Sequence, residues 1–276
     1  MPKYTVLDKS VGQTPLDAIK EFKRVNPELA RLPMAYAGRL DPMASGKLLI
    51  LIGDECKHQE SYHGLDKEYE FRVLFGTASD TGDVLGRLSW DEEKVKLETV
   101  KINEMTEKFI GKLSLPYPRF SSKTVLGKPL HTWTLENRLS EITMPVAETE
   151  IFKLEFLNSK EFSAGEIFET AVEKINSIPP VTDERKALGK DFRREDIRLD
   201  WKLWLERHKT SQILVADFVT TVESGTYIRS LAEELGRRLG VKSLAFAIHR
   251  SKIGSYQKLP FGQGFWRKTY DLADNS

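Results

Sequence analysis

The segment Ala37-Gly38-Arg39-Leu40-Asp41-Pro42-Met43-Ala44-Ser45-Gly46 sets two glycines and a proline around a single aspartate. It runs straight into Leu48–Ile52, a continuous apolar stretch of five residues, which stops at Gly53. Proline fixes one backbone angle and glycine opens conformations that other residues avoid, so this spacing dictates a defined loop. The apolar run that follows reads as a buried strand. Any fold compatible with both features holds an acid on a rigid loop at the end of a core strand. A carboxylate held this way suits a nucleophile or a general base. The plainer alternative is an aspartate that accepts hydrogen bonds from its own turn.

The rest of the chain mixes strand and helix patterns without regular βαβ spacing, which predicts an α+β fold. Tyr4–Leu7, Tyr69–Phe75 and Ile213–Val222 read as strands. Thr14 before Pro15 opens a helix to about Val25, and Thr99–Ile110 reads as a helix ended by Gly111. Ser224-Gly225 turns the chain into a helix from about Tyr227 to Leu239. Leu113–Asn137, with three prolines, reads as a long excursion from the core, and ordered loops of that length usually carry function.

Composition narrows the class. The formal net charge is +1, so any nucleic-acid surface must gather its positive charge on one face. One cysteine, Cys56, excludes a disulfide framework and a four-cysteine zinc site, and it fits a reducing compartment. The five histidines show no metal-ligand spacing. Met1–Ser10 holds no long apolar run and no stretch is long enough to span a bilayer, so the expectation is a cytoplasmic protein without a signal peptide.

Two further segments join the aspartate loop: Lys67-Glu68-Tyr69 at a strand start and Gly225-Thr226-Tyr227-Ile228-Arg229-Ser230 at a helix start. Together the three resemble the TruB family of tRNA pseudouridine synthases, which carries a G-x-L-D-P-x-A-x-G loop, a K-x-Y strand start and a G-T-Y-I-R-S/T helix start in this order. The 28-residue step from Asp41 to Tyr69 also matches, as do Asp8-Lys9, Gly76–Thr81 and Arg250-Ser251-Lys252-Ile253-Gly254. Pro118–Lys123 with Gly127-Lys128 resembles the RNA-gripping thumb of that family. The resemblance covers about residues 4–158 and 213–256.

The resemblance implies a catalytic fold with a mixed, mostly antiparallel sheet flanked by helices and loops. It implies isomerisation of a uridine in the tRNA T-loop, at position 55, to pseudouridine. Asp41 falls on the catalytic carboxylate, Tyr69 on the tyrosine that stacks on the target base, and Arg229 on the arginine that pairs with the aspartate through a forked hydrogen bond. RNA contacts are expected from Lys9, Tyr36, Arg39, Arg119, Phe120, Lys123, Lys128 and His131, with Tyr117 and Trp133 as stacking rings. The reaction exchanges no electrons, so no cofactor is expected, and no metal. The implied partner is the tRNA T-arm, bound by a monomer. The alternatives are a synthase for another RNA stem-loop, a non-catalytic RNA-binding or RNA-folding module on the same fold, and a carboxylate hydrolase, which would need a second catalytic carboxylate.

The chain departs from the family in three places. Tyr36 stands where the family usually has histidine. The C-terminal PUA domain is expected to be absent, leaving residues 1–276 as one catalytic domain with a thumb-like loop at 113–137. Residues 161–210 read as a helical insertion. Within it Ser163 and Glu166 form a capping-box pattern, Ile178-Pro179-Pro180 ends one helix, and a second runs from about Arg194 to His208. Its second half is basic, with Arg185, Lys186, Lys190, Arg193, Arg194 and Arg198 as candidate phosphate contacts beside Phe192 and Trp201. A hairpin held by its own aromatic and salt contacts is the simpler reading.

Overall fold

A computed structural model describes residues 2–181, 190–259 and 263–272 of the chain. The first half holds β1 (Tyr4–Lys9), α1 (Pro15–Val25), β2 (Met34–Tyr36), β3 (Ser45–Ile52), β4 (Asp66–Phe75), β5 (Thr77–Ser79) and β6 (Leu88–Trp90). Then come α2 (Thr99–Glu107), β7 (Gly111–Pro116), β8 (Thr124–Val125), β9 (Lys128–Pro129) and α3 (Leu130–Leu135). The second half holds β10 (Val146–Ser163), α4 (Ala164–Ser177), α5 (Lys190–His208), β11 (Gln212–Val222), α6 (Ile228–Leu239), β12 (Ser243–Lys258) and β13 (Gly264–Thr269).

Nine strands form one sheet, in the order β1-β3-β12-β4-β11-β10-β7, with β13 added to β12 and β2 to β3. Every pairing in it is antiparallel except a short parallel step where Ser45 and Gly46 of β3 meet His249 and Arg250 of β12. This is the α+β, mostly antiparallel architecture expected from the sequence. The Leu48–Ile52 run is a central strand buried on both faces, which is why it reads as continuous rather than alternating. Among the described residues no helix is long and apolar enough to cross a membrane.

Local chemistry explains the helix starts. Thr14 caps α1 in a full capping box with Asp17, and Ser163 caps α4 with Glu166, each supplying partners to otherwise orphaned N–H groups. The α6 helix ends at Gly240 in the left-handed conformation, as the sequence implied.

The excursion expected at 113–137 begins later than predicted. Leu113–Pro116 belongs to β7, an edge strand paired with β10, and the segment leaves the sheet only at Tyr117. Alternation of Leu113 and Leu115 with polar residues was the signal for that strand, outweighed by the prolines around it. Glu161–Ser163 likewise belongs to β10, so the helical part of the segment read as an insertion is α4 with α5. Its helices are no peripheral hairpin: Trp201 and Trp204 are fully buried and join the main core with Ile167, Ala171, Ile175 and Ile197. Trp201 Nε1 donates to the Val84 carbonyl at 3.1 Å, and Trp204 Nε1 to Thr77 Oγ1 at 2.8 Å.

Candidate active site

The Asp41 loop leads into β3 and is pinned from behind by two buried cations. Arg250, fully buried on β12, donates from Nε to the Lys47 carbonyl at 2.7 Å, from Nη1 to Arg39 at 3.1 Å and from Nη2 to Gly38 at 3.5 Å. Lys9, also fully buried, donates to the carbonyls of Ser10 and Gln13, both at 2.9 Å, and of Pro42 at 3.4 Å. The backbone adds Gly12 N–H to Pro42 at 2.9 Å and Ala44 N–H to Asp41 at 3.0 Å. Gly46 is obligatory here: its φ is +103°, and a Cβ would lie 2.4 Å from the Arg250 carbonyl oxygen. The loop is therefore rigid in the way a reacting carboxylate requires.

Arg229, on the first turn of α6, faces that carboxylate. Its Nε lies 2.9 Å from Asp41 Oδ2 and 3.7 Å from Asp83 Oδ2. The N–H is not aimed at either oxygen, so both are charge contacts rather than aligned hydrogen bonds. The forked hydrogen bond expected between Arg229 and Asp41 does not form, because Nη1 instead donates to the Thr81 carbonyl at 2.7 Å. Burial opposes the charge of Arg229, but Asp41 and then Asp83 outweigh it and hold the guanidinium above its ordinary pKa. Asp83 is buried and its pKa is raised by desolvation, against the pull of Arg229. Its Oδ1 accepts from Thr81 Oγ1 at 2.7 Å and from the Leu85 N–H at 2.9 Å. One arginine thus stands between two carboxylates, of which only Asp41 is substantially exposed, its side chain at 40% against 5% for Asp83.

These groups line a pocket of about 650 Å³. Tyr69, on β4 between Thr220 of β11 and Arg250 of β12, forms part of its wall and is 8% exposed. Lys67, two residues earlier on the same strand, donates to Ser224 Oγ at 2.9 Å and to the Leu65 carbonyl at 2.5 Å. Burial, and then the neighbouring Arg250, pushes its pKa down to about 8. Lys9 is lowered to about 8 by burial as well, with Asp41 pulling the other way. One turn further along α6, Glu233 is pushed up to about 7 by burial.

The pocket brings together Asp41, Tyr69, Arg229, Arg39, Phe120 and His131 of the expected set. It does not include Lys9 or Tyr36. Lys9 spends its ammonium on loop carbonyls and presents nothing to a phosphate. Tyr36 sits half-buried on β2 against the core and outside the pocket wall. Arg119 and Lys123 are exposed on the thumb-like segment, while Lys128 is ion-paired to Glu136 at 2.6 Å. Trp133 is no stacking platform: it is buried beneath the thumb, between Lys128 and Arg138, and donates to the Val125 carbonyl at 3.1 Å. Tyr117 packs edge-on against Tyr227 of the pocket wall.

The arginines of the insertion are committed within the protein. Arg193 holds Asp80 through two bonds of 2.6 and 3.2 Å. Arg194 satisfies the end of α4, donating to Ile175 and Ile178 carbonyls at 2.7 Å each. Arg198 bonds Glu195 and Asn176 at 2.7 and 2.6 Å. Simple capping and ion pairing therefore replaces the phosphate role read for these three. Arg185 and Lys186, read the same way, lie outside the described residues, and the side chain of Lys190 does too.

Sequence reasoning missed Asp83, Glu233 and a role for Arg250. Asp83 lies just beyond the matched Gly76–Thr81 segment and Arg250 opens the matched tail, so both were within reach of the motifs. Nothing in the sequence marked the insertion as part of the pocket, yet Ile175, Ile178, Ile197 and Asp191–Arg194 line it.

Residues 29–175, more than half of the chain, match the N-terminal domain of the TruB family pseudouridylate synthases. A tRNA pseudouridine synthase B of Syntrophus aciditrophicus is 26% identical over 93% of this chain and 64% of its own length. That of Aquifex aeolicus is 25% identical over 90% and 67%, and tRNA pseudouridine synthase 4 of Saccharomyces cerevisiae is 26% identical over 80% and 60%. The chain thus spans roughly two thirds or less of the length of these relatives. In fold it is similar to a chain in the crystal structure of a Cbf5-Nop10-Gar1 complex, with a TM-score of 0.53 and 17% identity over 91% of this chain and 48% of that one. This chain belongs to the TruB family of pseudouridylate synthases.

Proposed function

We propose that the chain converts a uridine of transfer RNA, at position 55 in the T-arm, to pseudouridine, with Asp41 as the reacting carboxylate. The observation that carries this reading is the charge contact of 2.9 Å between Asp41 and the buried Arg229, at the wall of a pocket that also contains Tyr69. The isomerisation breaks the N1–C1′ bond, turns the uracil and joins C5 to C1′; the proton leaves C5 and N1 ends protonated, so atoms and electrons balance without a cofactor. Asp41 either attacks C1′ or removes the 2′ proton. Arg229 fixes the carboxylate and keeps its charge partner in place throughout. Tyr69 gives the detached uracil a flat face to rest on while it turns.

A uridine reaches such a pocket only when flipped from its stack, and loop nucleotides flip at lower cost than paired ones. Arg39, Arg119, Lys123 and Lys128 supply phosphate contacts around the mouth, with Lys128 exchanging Glu136 for RNA. Phe120 and His131 meet the nucleotide at the rim. The chain acts as a monomer, with the segment from Tyr117 to Asn137 gripping the arm. Its lone cysteine fits work in the reducing cytoplasm. The test is incubation with unmodified tRNA followed by position-resolved pseudouridine mapping. A single new pseudouridine in the T-loop supports the reading. Modification elsewhere in the tRNA, or only in another RNA, overturns the assignment of the substrate.

A further inference from the structure

Among the parts of the insertion that line the pocket, one turn has an unusual backbone. Asp191, Phe192 and Arg193 all take left-handed conformations, with φ of 53°, 56° and 60°, which side-chain-bearing residues avoid. Such a turn persists only where its surroundings over-determine it, and here they do. The Asp191 carboxylate accepts from Arg194 at 2.8 and 3.1 Å and from the Val181 N–H at 2.9 Å. Arg193 is fixed by Asp80 and lies over the Phe120 ring at 4.5 Å.

The residue this turn presents is Phe192. Its neighbours on α5, Ile197, Trp201 and Trp204, are buried, whereas Phe192 is 41% exposed and lines the pocket that holds Asp41. Phe120 of the thumb-like segment lines the same pocket. The rim therefore carries two aromatic rings from two different excursions, joined through Arg193, with the exposed guanidinium of Arg39 on the pocket wall. Exposed aromatics beside cationic groups are the chemistry that receives unpaired nucleobases, because every base offers a π-face.

We propose that Phe192 is a specificity-determining residue that stacks on an unpaired nucleobase beside the target uridine, so that the insertion is a substrate-reading element as well as a core element. The proposal rests on the RNA-modifying reading above and extends it to a residue outside the family motifs.

The experiment measures tRNA affinity by filter binding, and steady-state pseudouridine formation, for wild type, Phe192→Ala, Phe192→Leu and Phe192→Trp. Loss of one base–aromatic stack predicts that Kd and KM rise about tenfold or more in the alanine and leucine variants. The tryptophan variant keeps wild-type values, kcat at saturation stays within about twofold, and melting temperatures fall by no more than a few degrees because the residue is 41% exposed. Leucine separates stacking from packing: if Phe192→Leu behaves as wild type, or Phe192→Ala leaves Kd and KM unchanged, the proposal is overturned. If wild type binds tRNA without forming pseudouridine, the Kd series still decides the stacking role while the proposed reaction falls. If it binds no RNA, both fall.

Discussion

Replacing Trp201 by alanine probes whether the insertion is part of the folding unit. Trp201 is fully buried, packs edge-on against Trp204 with centroids 5.3 Å apart, and donates to the Val84 carbonyl at 3.1 Å. Removing about 200 Å² of buried aromatic surface costs about 5 kcal/mol by area. The orphaned Val84 carbonyl adds about 1 kcal/mol. Partial collapse of the cavity and residual contacts in the unfolded chain reduce the sum, and measured Trp→Ala changes run about 3–5 kcal/mol. The expected loss is therefore about 4 kcal/mol, a fall of roughly 8–16 °C in Tm at about 2–4 °C per kcal/mol. Urea and thermal unfolding both read it. A loss below about 1 kcal/mol would mean that α4 and α5 rest on the domain without belonging to its core, and the burial argument would fail.

Two other outcomes follow from the site. Arg229→Lys keeps the charge but cannot reach Asp41, Asp83 and the Thr81 carbonyl at once; turnover should fall about 10²-fold, the size of losing one preorganised contact, with Tm changed by only a few degrees. A normal rate with a lowered Tm would make the arginine structural. Glu233, raised by burial from 4.5 to about 7, is protonated in the folded chain where the unfolded chain is not. Between those values the native state binds more protons, so stability falls as pH rises from about 4.5 to 7, by about 3 kcal/mol. Glu233→Gln should flatten that slope in melts at successive pH values, and an unchanged slope would place its cause elsewhere.

The sequence carried β1, β3, β4 and β11 and the starts of α1, α4 and α6, because each rests on local chemistry such as the apolar run of β3, Thr14 before Pro15 in α1 and the capping-box pattern of α4. It gave no sign of the long strands β10 and β12, whose residues mix apolar and polar without clean alternation. The three motifs that keep their order bring Asp41, Tyr69 and Arg229 to one pocket. What else the sequence did not carry depends on burial. Lys9 and Arg250 look like surface cations in a one-dimensional reading, and only the fold turns them inward onto the carbonyls of the Asp41 loop. Arg193, Arg194 and Arg198 look like a basic stripe until their partners Asp80, Asp191, Asn176 and the end of α4 are brought beside them. Trp133 reads as a stacking ring and Trp201 as either a stacking ring or an anchor, and both are core. Phe192, by contrast, is the aromatic of the insertion that stays open to the pocket.

The central claim is that the Asp41 carboxylate carries the chemistry while the surrounding surface carries the binding. Asp41→Asn removes the charge and keeps the shape, and leaves Arg250 and Lys9 to hold the loop through its carbonyls. Pseudouridine formation and tRNA affinity should be measured on the same preparation. The expected result is no detectable pseudouridine with a Kd within about twofold of wild type. Turnover within about tenfold of wild type would contradict it.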